Sequence, residues 1–294
     1  MKIGASLNFA ARSREGELSV AESVRVCVNA GFDNIEIDLS RGAGARALAA
    51  ENWETAISEI RDAVNAAGAR VVSAHAPHNP RLYMPEGAPD ASERAEFEKL
   101  LARSARAAYI LGAEILVVHP VDNHVDAEYD REVNVATNIA YLSEVCAEAK
   151  KYGLRIAVEN VYYSSVYRLR RRFGESAEEV ACLADKLGVG VCWNCGHAHP
   201  VTMDQGRAIE KLGERIILLH LSDSKGNTDA GLPPMIGSGN IKWEGIMPSL
   251  SRIGYEGYAI LDADQYLAGI PAVLQPDAAA LARTMCRRLE ELCK

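Results

Sequence analysis

Short apolar runs alternate with longer amphipathic stretches along the chain. Read as strands, the runs are Lys2–Leu7, Asn34–Asp38, Arg70–His75, Glu114–His119, Leu154–Glu159, Val189–Trp193, Ile216–Leu221 and Tyr258–Asp262. Most are nearly unbroken Val, Ile, Leu and Ala, the pattern of strands buried on both faces of a parallel sheet. Between them, apolar positions recur with helical spacing, for example over Ala21–Ala30, Trp53–Ala67, Glu93–Leu111, Arg131–Lys151 and Glu178–Leu187. Several of these stretches stop at a glycine just before the next strand (Gly31, Gly68, Gly112, Gly153, Gly188, Gly254), where a left-handed cap costs glycine nothing sterically. Asp90 and Glu93 have the spacing of a capping box. Eight strands alternating with eight helices predict a closed (β/α)8 barrel, one domain across residues 1–294 with no linker. An open doubly wound sheet would want a glycine fingerprint after the first strand, and Ser6-Leu7-Asn8-Phe9 has none.

Composition narrows the class. With 294 residues, 48% hydrophobic and 24% charged, the chain has the balance of a soluble globular protein. No apolar run approaches the roughly 20 residues that cross a bilayer, and the N-terminus enters a strand pattern at once, without the features of a signal peptide. A net charge of −8 argues against a dedicated nucleic-acid binder, which carries a basic stripe. Seven cysteines, an odd count without repeating spacing, fit free thiols in a reducing, cytoplasmic setting rather than a disulfide framework. Cys192 and Cys195 form a CxxC, but no second pair accompanies it.

The polar residues are placed more tellingly. In such a barrel, catalytic groups come from the C-terminal ends of the strands and the loops after them. All seven histidines (His75, His78, His119, His124, His197, His199, His220) fall at a strand end or within about six residues after one. Glu36 and Asp38 close the second strand, Glu159 and Asn160 the fifth; Asn194 follows the sixth, Asp223 the seventh, and Asp262 ends the eighth. A carboxylate such as Glu159, at the end of Ile156-Ala157-Val158, is costly to bury unless paired or ligated. Glu159, Asn194, His220 and Asp262 come from four successive strands and should converge at the barrel mouth. Their mixed carboxylate, amide and imidazole groups suit one divalent ion such as Mn²⁺, Mg²⁺, Co²⁺ or Zn²⁺. A basic run, Arg168, Arg170, Arg171 and Arg172, follows Tyr162, Tyr163 and Tyr167 after the fifth strand. It is either a solvated loop or a lid whose Arg168 forks a substrate phosphate or carboxylate, or another subunit. Lys225 is either an exposed loop lysine or a second contact for substrate oxygens.

The segments Ser73-Ala74-His75-Ala76-Pro77, Val117-Val118-His119-Pro120, Ala157-Val158-Glu159-Asn160, Asn194-Cys195-Gly196-His197 and Leu219-His220-Leu221-Ser222-Asp223-Ser224-Lys225, in this order, resemble the xylose isomerase-like barrel superfamily. Ile236-Gly237-Ser238-Gly239-Asn240-Ile241-Lys242-Trp243 is similar to its GxGxIxW segment. That group holds sugar and sugar-phosphate isomerases, ketose 3-epimerases, inosose-processing enzymes and type IV endonucleases. The resemblance implies a single-metal site of Glu159, Asn194, His220 and Asp262, with His197 touching substrate; His75 and His119 match nuclease ligands but also occur in sugar-processing members, and are read as substrate contacts. Two positions depart from the family pattern, which has Asp where Asn194 stands and Glu where Asp262 stands. The nuclease branch also carries an Asp-x-His unit where this chain reads Asp229-Ala230-Gly231.

The activity implied is a metal-dependent isomerase or epimerase of a sugar, sugar phosphate or cyclitol, with Glu159 and Asp262 moving protons on opposite faces of an enediolate. A lyase or dehydratase with the same enolate chemistry, a non-catalytic accessory barrel, and last a phosphodiesterase of the nuclease type are the alternatives. The expected partner is a small carbohydrate-type molecule, with no nucleic acid or membrane, and further copies of the chain if it assembles.

Overall fold

In the structure, a computed structural model, residues 1–83, 87–123, 129–161, 171–202, 204–226, 229–235, 239–264 and 266–293 are described. Eight parallel strands close into a barrel: β1 (Lys2–Ser6), β2 (Asn34–Asp38), β3 (Arg70–His75), β4 (Ile115–Val118), β5 (Arg155–Glu159), β6 (Gly190–Asn194), β7 (Ile216–Leu221) and β8 (Tyr258–Leu261). Each strand pairs with its neighbours in sequence, and β8 closes on β1 with Lys2 opposite Tyr258. The helices that return the chain are α1 (Val20–Asn29), α2 (Gly42–Ala49), α3 (Trp53–Ala66), α4 (Ala91–Leu111), α5 (Arg131–Lys151), α6 (Ala177–Leu187), α7 (Cys195–Ala198), α8 (Gln205–Leu212), α9 (Trp243–Arg252) and α10 (Gln275–Leu292).

The predicted boundaries shift for local reasons. Leu7 leaves β1 because the Ser6 hydroxyl accepts from Asn8 N at 3.3 Å and starts a 3-10 turn. The capping box before α4 is present, with Asp90 accepting from Ser92 N and Glu93 N and Glu93 accepting from Asp90 N. Helix α2 was not anticipated by periodicity. It exists through a close approach: a Cβ on Gly44 would stand 2.2 Å from the Asp38 carbonyl oxygen, so only glycine lets its first turn rest on the end of β2.

Alternation along each strand sorts the core into two clusters. Outward residues such as Ile156, Val158, Val191 and Leu219 join the large core under the helices. Inward residues Val72, Ile115, Val117, Ala157, Cys192, Leu218, Tyr258 and Ile260 fill the barrel. The same two-residue period, carried two positions further from Val117, Ala157, Cys192, Leu218 and Ile260, brings His119, Glu159, Asn194, His220 and Asp262 to the inner face of one rim.

On the same side of the barrel, the base of the excursion after β5 is closed by Val161 N donating to the Gly174 carbonyl at 3.1 Å. It is tied to the loop after β4 by Asp122, whose carboxylate takes Arg172 Nε at 2.9 Å and Phe173 N at 2.7 Å, all buried. Arg171 pairs with Glu179 at 2.6 Å and lies over the Tyr129 ring. Of the basic run, Arg172 is thus buried and structural, while Arg171 is exposed but held by its ion pair. Beside them Glu175 has a buried Oε1 without a partner among the described residues, and burial pushes its carboxyl up to about 7. An acid whose folded pKa is raised loses stability as pH rises through that value. Glu175→Gln is therefore expected to stabilise the protein by about 1 kcal/mol at pH 8, discounted for partial exposure, and not at pH 5. Urea midpoints at the two pH values measure this, and an equal effect at both would exclude it.

Candidate functional site

Glu159 is the centre of the rim. It is 1% exposed, and both carboxylate oxygens face imidazoles. Oε1 lies 3.0 Å from His220 Nδ1 and 3.4 Å from His197 Nδ1; Oε2 lies 3.1 Å from His75 Nε2 and 3.2 Å from His119 Nε2. Burial alone would raise this carboxyl, yet His220 and His119 hold it well below the ordinary range. His220 is balanced the other way. Burial opposes its charge, but Cys192, Glu36 and Glu159 raise it well above the usual imidazole value. Its Nε2 meets Glu36 Oε2 at 3.1 Å, and that same oxygen accepts from Ser73 Oγ at 2.7 Å. His75, despite burial, is raised to about 9 by its bond to Glu159 and the charge of Asp38. His119, stacked on His78 with centroids 4.4 Å apart, is lowered by burial to about 4.

Asn194 ends β6 and caps α7. Its Oδ1 accepts from Gly196 N at 3.0 Å, His197 N at 3.1 Å and Ser222 Oγ at 3.1 Å. A Cβ on Gly196 would sit 2.1 Å from Ser222 Oγ, so a glycine there is what lets β6 and the end of β7 approach closely enough. With the oxygen so occupied, Nδ2 faces the site, donating to Glu159 Oε1 at 2.9 Å and Asp262 Oδ2 at 3.1 Å. His197 donates from its backbone to Asn194, and its Nδ1 lies 2.9 Å from the Asn160 carbonyl. The two asparagines also clamp each other, Asn194 N donating to Asn160 Oδ1 at 2.7 Å and Asn160 Nδ2 to the Asn194 carbonyl at 3.1 Å.

Among the described residues, three overlapping groups bring donor atoms within 4.8 Å of one another and could hold a metal ion: His75, His119 and Glu159; Glu159, Cys192 and His220; and Glu159, His197 and Asp262. Of the four ligands expected from sequence, Glu159 shares one group with His220 and another with Asp262, and His220 Nδ1 lies 3.9 Å from Asp262 Oδ2. Asn194 presents N–H groups there, which have no lone pair to give a cation. Each of the three overlapping groups offers three donor atoms, the number typical of zinc sites that keep a position open.

A cavity of about 350 Å³ lies at the ends of β1 and β2, lined among others by Asn8, Asp38, Arg41 and Asp264. Arg41 bridges Asp38 at 2.9 Å and Asp264 at 3.1 Å. Burial and the charge of Asp262 push Asp264 up to about 8. Glu36 carries a sequence signal as an acid between the outward-facing Ile35 and Ile37; Arg41 and Asp264 lie in loops, where no periodicity marks them. Lys225 is exposed, and among the described residues its ammonium makes no hydrogen bond or ion pair. Asp223 is structural: it accepts from Ile241 N at 3.1 Å and Trp243 Nε1 at 3.0 Å, fixing the loop before α9. Both thiols of the CxxC are buried and free, and burial raises them. Arg168, Arg170, Tyr162, Tyr163, Tyr167 and His124 lie outside the described residues.

Residues 24–291 match the family described as xylose isomerase-like TIM barrel. A protein of Methanocaldococcus jannaschii, "Uncharacterized protein MJ1311", is 32% identical over 155 residues, which is 51% of this chain and 50% of that protein. The chain thus matches about half the length of this relative. Among solved structures, a D-tagatose 3-epimerase-like protein superposes with a TM-score of 0.74 at 23% identity, covering 100% of this chain and 98% of the other. A D-psicose 3-epimerase crystallised in the presence of D-fructose gives 0.73 at 17%, covering 99% of each. The 3-keto-D-glucoside 4-epimerase of E. coli gives 0.69 at 17%, covering 97% and 99%. At these identities the likeness establishes the shared barrel.

Proposed function

Because this chain belongs to the xylose isomerase-like TIM barrel family, we propose that it is a metal-dependent isomerase or epimerase acting on a sugar or sugar derivative. The observation that carries the proposal is the pair of carboxylates, Glu159 and Asp262, held on one amide nitrogen at the rim and drawn from different strands. The sugar epimerases among the structural neighbours support it.

Glu159 takes the proton from the carbon beside the substrate carbonyl, since its low pKa keeps it ionised at neutral pH. Asp262, approaching from the eighth strand, serves the opposite face, so that a proton removed on one side returns on the other. A divalent cation on Glu159, His220 and Asp262 would supply Lewis-acid polarisation of adjacent carbonyl and hydroxyl oxygens. Glu36 orients the His220 ring by occupying its Nε2, leaving Nδ1 toward the centre. His197, fixed through its Nδ1 by the Asn160 carbonyl, orients a substrate hydroxyl. His75 and His119 line the far side of Glu159, while Lys225 and Arg168 are the cationic residues assigned to outer substrate oxygens.

The test is incubation with ketoses and ketose phosphates in D₂O with Mn²⁺. Deuterium on the carbon beside the carbonyl of recovered substrate or its epimer is expected. Substrate recovered without deuterium across the panel, in a protein that binds Mn²⁺, would overturn the proton-transfer role.

A further inference from the structure

We infer that Asn194 is not a fourth ligand of this centre but a strap standing where a ligand would be, its amide hydrogens holding the two carboxylates together in the cation-free protein. This rests on the proposal that Glu159, His220 and Asp262 are the cation's ligands.

The orientation of the amide decides the matter. Amide oxygen and nitrogen are assigned from their hydrogen bonds, and here every partner gives the same answer. Gly196 N, His197 N and Ser222 Oγ supply donors to one end. The carboxylate oxygens of Glu159 and Asp262 are acceptors at the other. Turning the amide over would set its NH₂ against two backbone N–H groups that cannot change role, and its oxygen against two carboxylates. Four of the five favourable contacts would become repulsions, with only the Ser222 hydroxyl able to reverse its role, in a side chain that is wholly buried. The Asn160 clamp holds the backbone as well, so the side chain has no room to swing.

Two consequences follow from charge. First, the strap neutralises part of the repulsion between Glu159 and Asp262, so the protein needs no cation to keep this rim intact. Second, the positive ends of the amide dipole point into the space shared by the three ligands and oppose a second positive charge there. An aspartate at position 194 would reverse both. One oxygen would still cap α7, while the other would sit about 3 Å from two carboxylate oxygens with no hydrogen between, a cluster that needs a cation or protons.

The experiment uses the full chain and Mn²⁺ alone, read by calorimetry and by melting temperature with and without chelator. Asn194→Asp is expected to bind Mn²⁺ about 10- to 100-fold more tightly than the parent, the scale on which metal surroundings tune affinity. It should also melt lower in chelator and recover with Mn²⁺, while the parent melts alike in both. Asn194→Ala removes the strap without adding charge; it should lose some stability through the lost cap, with Mn²⁺ affinity unchanged or higher. An alanine variant that binds Mn²⁺ tenfold more weakly than the parent would make the oxygen a ligand and overturn the inference. So would an aspartate variant no tighter than the parent, and the alanine variant decides the matter if the aspartate variant does not fold. No turnover enters these readouts. Absent deuterium exchange alongside the expected Mn²⁺ pattern removes the isomerase proposal and leaves the strap in place; exchange with an oxygen-ligand result does the reverse.

Discussion

Glu159→Gln is expected to lower proton exchange by about 10²- to 10⁴-fold, the contribution of a positioned general base, while leaving the barrel closed. Glutamine fits the space, because the imidazoles opposite can change role. His75 Nδ1 lies 3.0 Å from the Ala76 carbonyl, so in its neutral form Nδ1 donates there and Nε2 is free to accept from a glutamine NH₂. What the substitution removes is charge. In the parent, His75 is raised to about 9 chiefly against burial, by Glu159 and Asp38. A base raised in the folded state contributes stability that is present in full below its unfolded value near 6.5 and is lost as pH rises through 9. Without the carboxylate that contribution falls away. The stability difference between parent and variant in chelator should approach ~3 kcal/mol near pH 6 and shrink toward pH 9. Urea titrations at the two pH values, with the His75 resonance followed by NMR, measure it. Undiminished exchange together with a pH-independent difference would remove Glu159 from both roles.

The second large effect lies away from the chemistry. Asp122→Ala is expected to cost 3–5 kcal/mol, the range for stranding one member of a buried ion pair. Arg172 is 3% exposed and Asp122 1%, so neither charge can turn to water. The alanine also leaves Phe173 N without the acceptor it has at 2.7 Å. Replacing both partners with apolar residues, Asp122→Ala with Arg172→Met, should recover much of the loss, because the penalty comes more from burying the guanidinium without this carboxylate than from the missing bond. Denaturant midpoints of the single and double variants check this. A single variant within 1 kcal/mol of the parent would mean that the arginine finds water or another acceptor.

These two residues illustrate what could be read along the chain. Glu159 was legible because a carboxylate directly after Ile156-Ala157-Val158 is costly unless something pairs with it, and the barrel rule says where such a residue stands. The pairing of Asp122 with Arg172 was not. They lie 50 positions apart in loops after different strands, and a run of arginines looks the same in sequence whether it is solvated or buried. Helix α2 escaped for a related reason, since Gly42 and Gly44 argue against a helix locally and only contact with the end of β2 makes it favourable. Arg41 and Asp264 likewise come together only because α2 and the loop after β8 meet over the barrel mouth.

The sequence by itself determined the barrel and the rim. Both follow from short-range periods: apolar runs that suit buried strands, and an alternation of two that carries Ala157 to Glu159, Cys192 to Asn194, Leu218 to His220 and Ile260 to Asp262 on one inner face. Tertiary structure alone decided what those groups do to one another. Whether Asn194 offers oxygen or nitrogen to the centre depends on Ser222 from the end of β7 and on the turn of α7, and whether His75 keeps its proton depends on Glu159 and Asp38 from two other strands. Hydrogen-bond direction and proton affinity are set by neighbours within about 4 Å in space, and in a closed barrel those neighbours come from strands far apart in the chain.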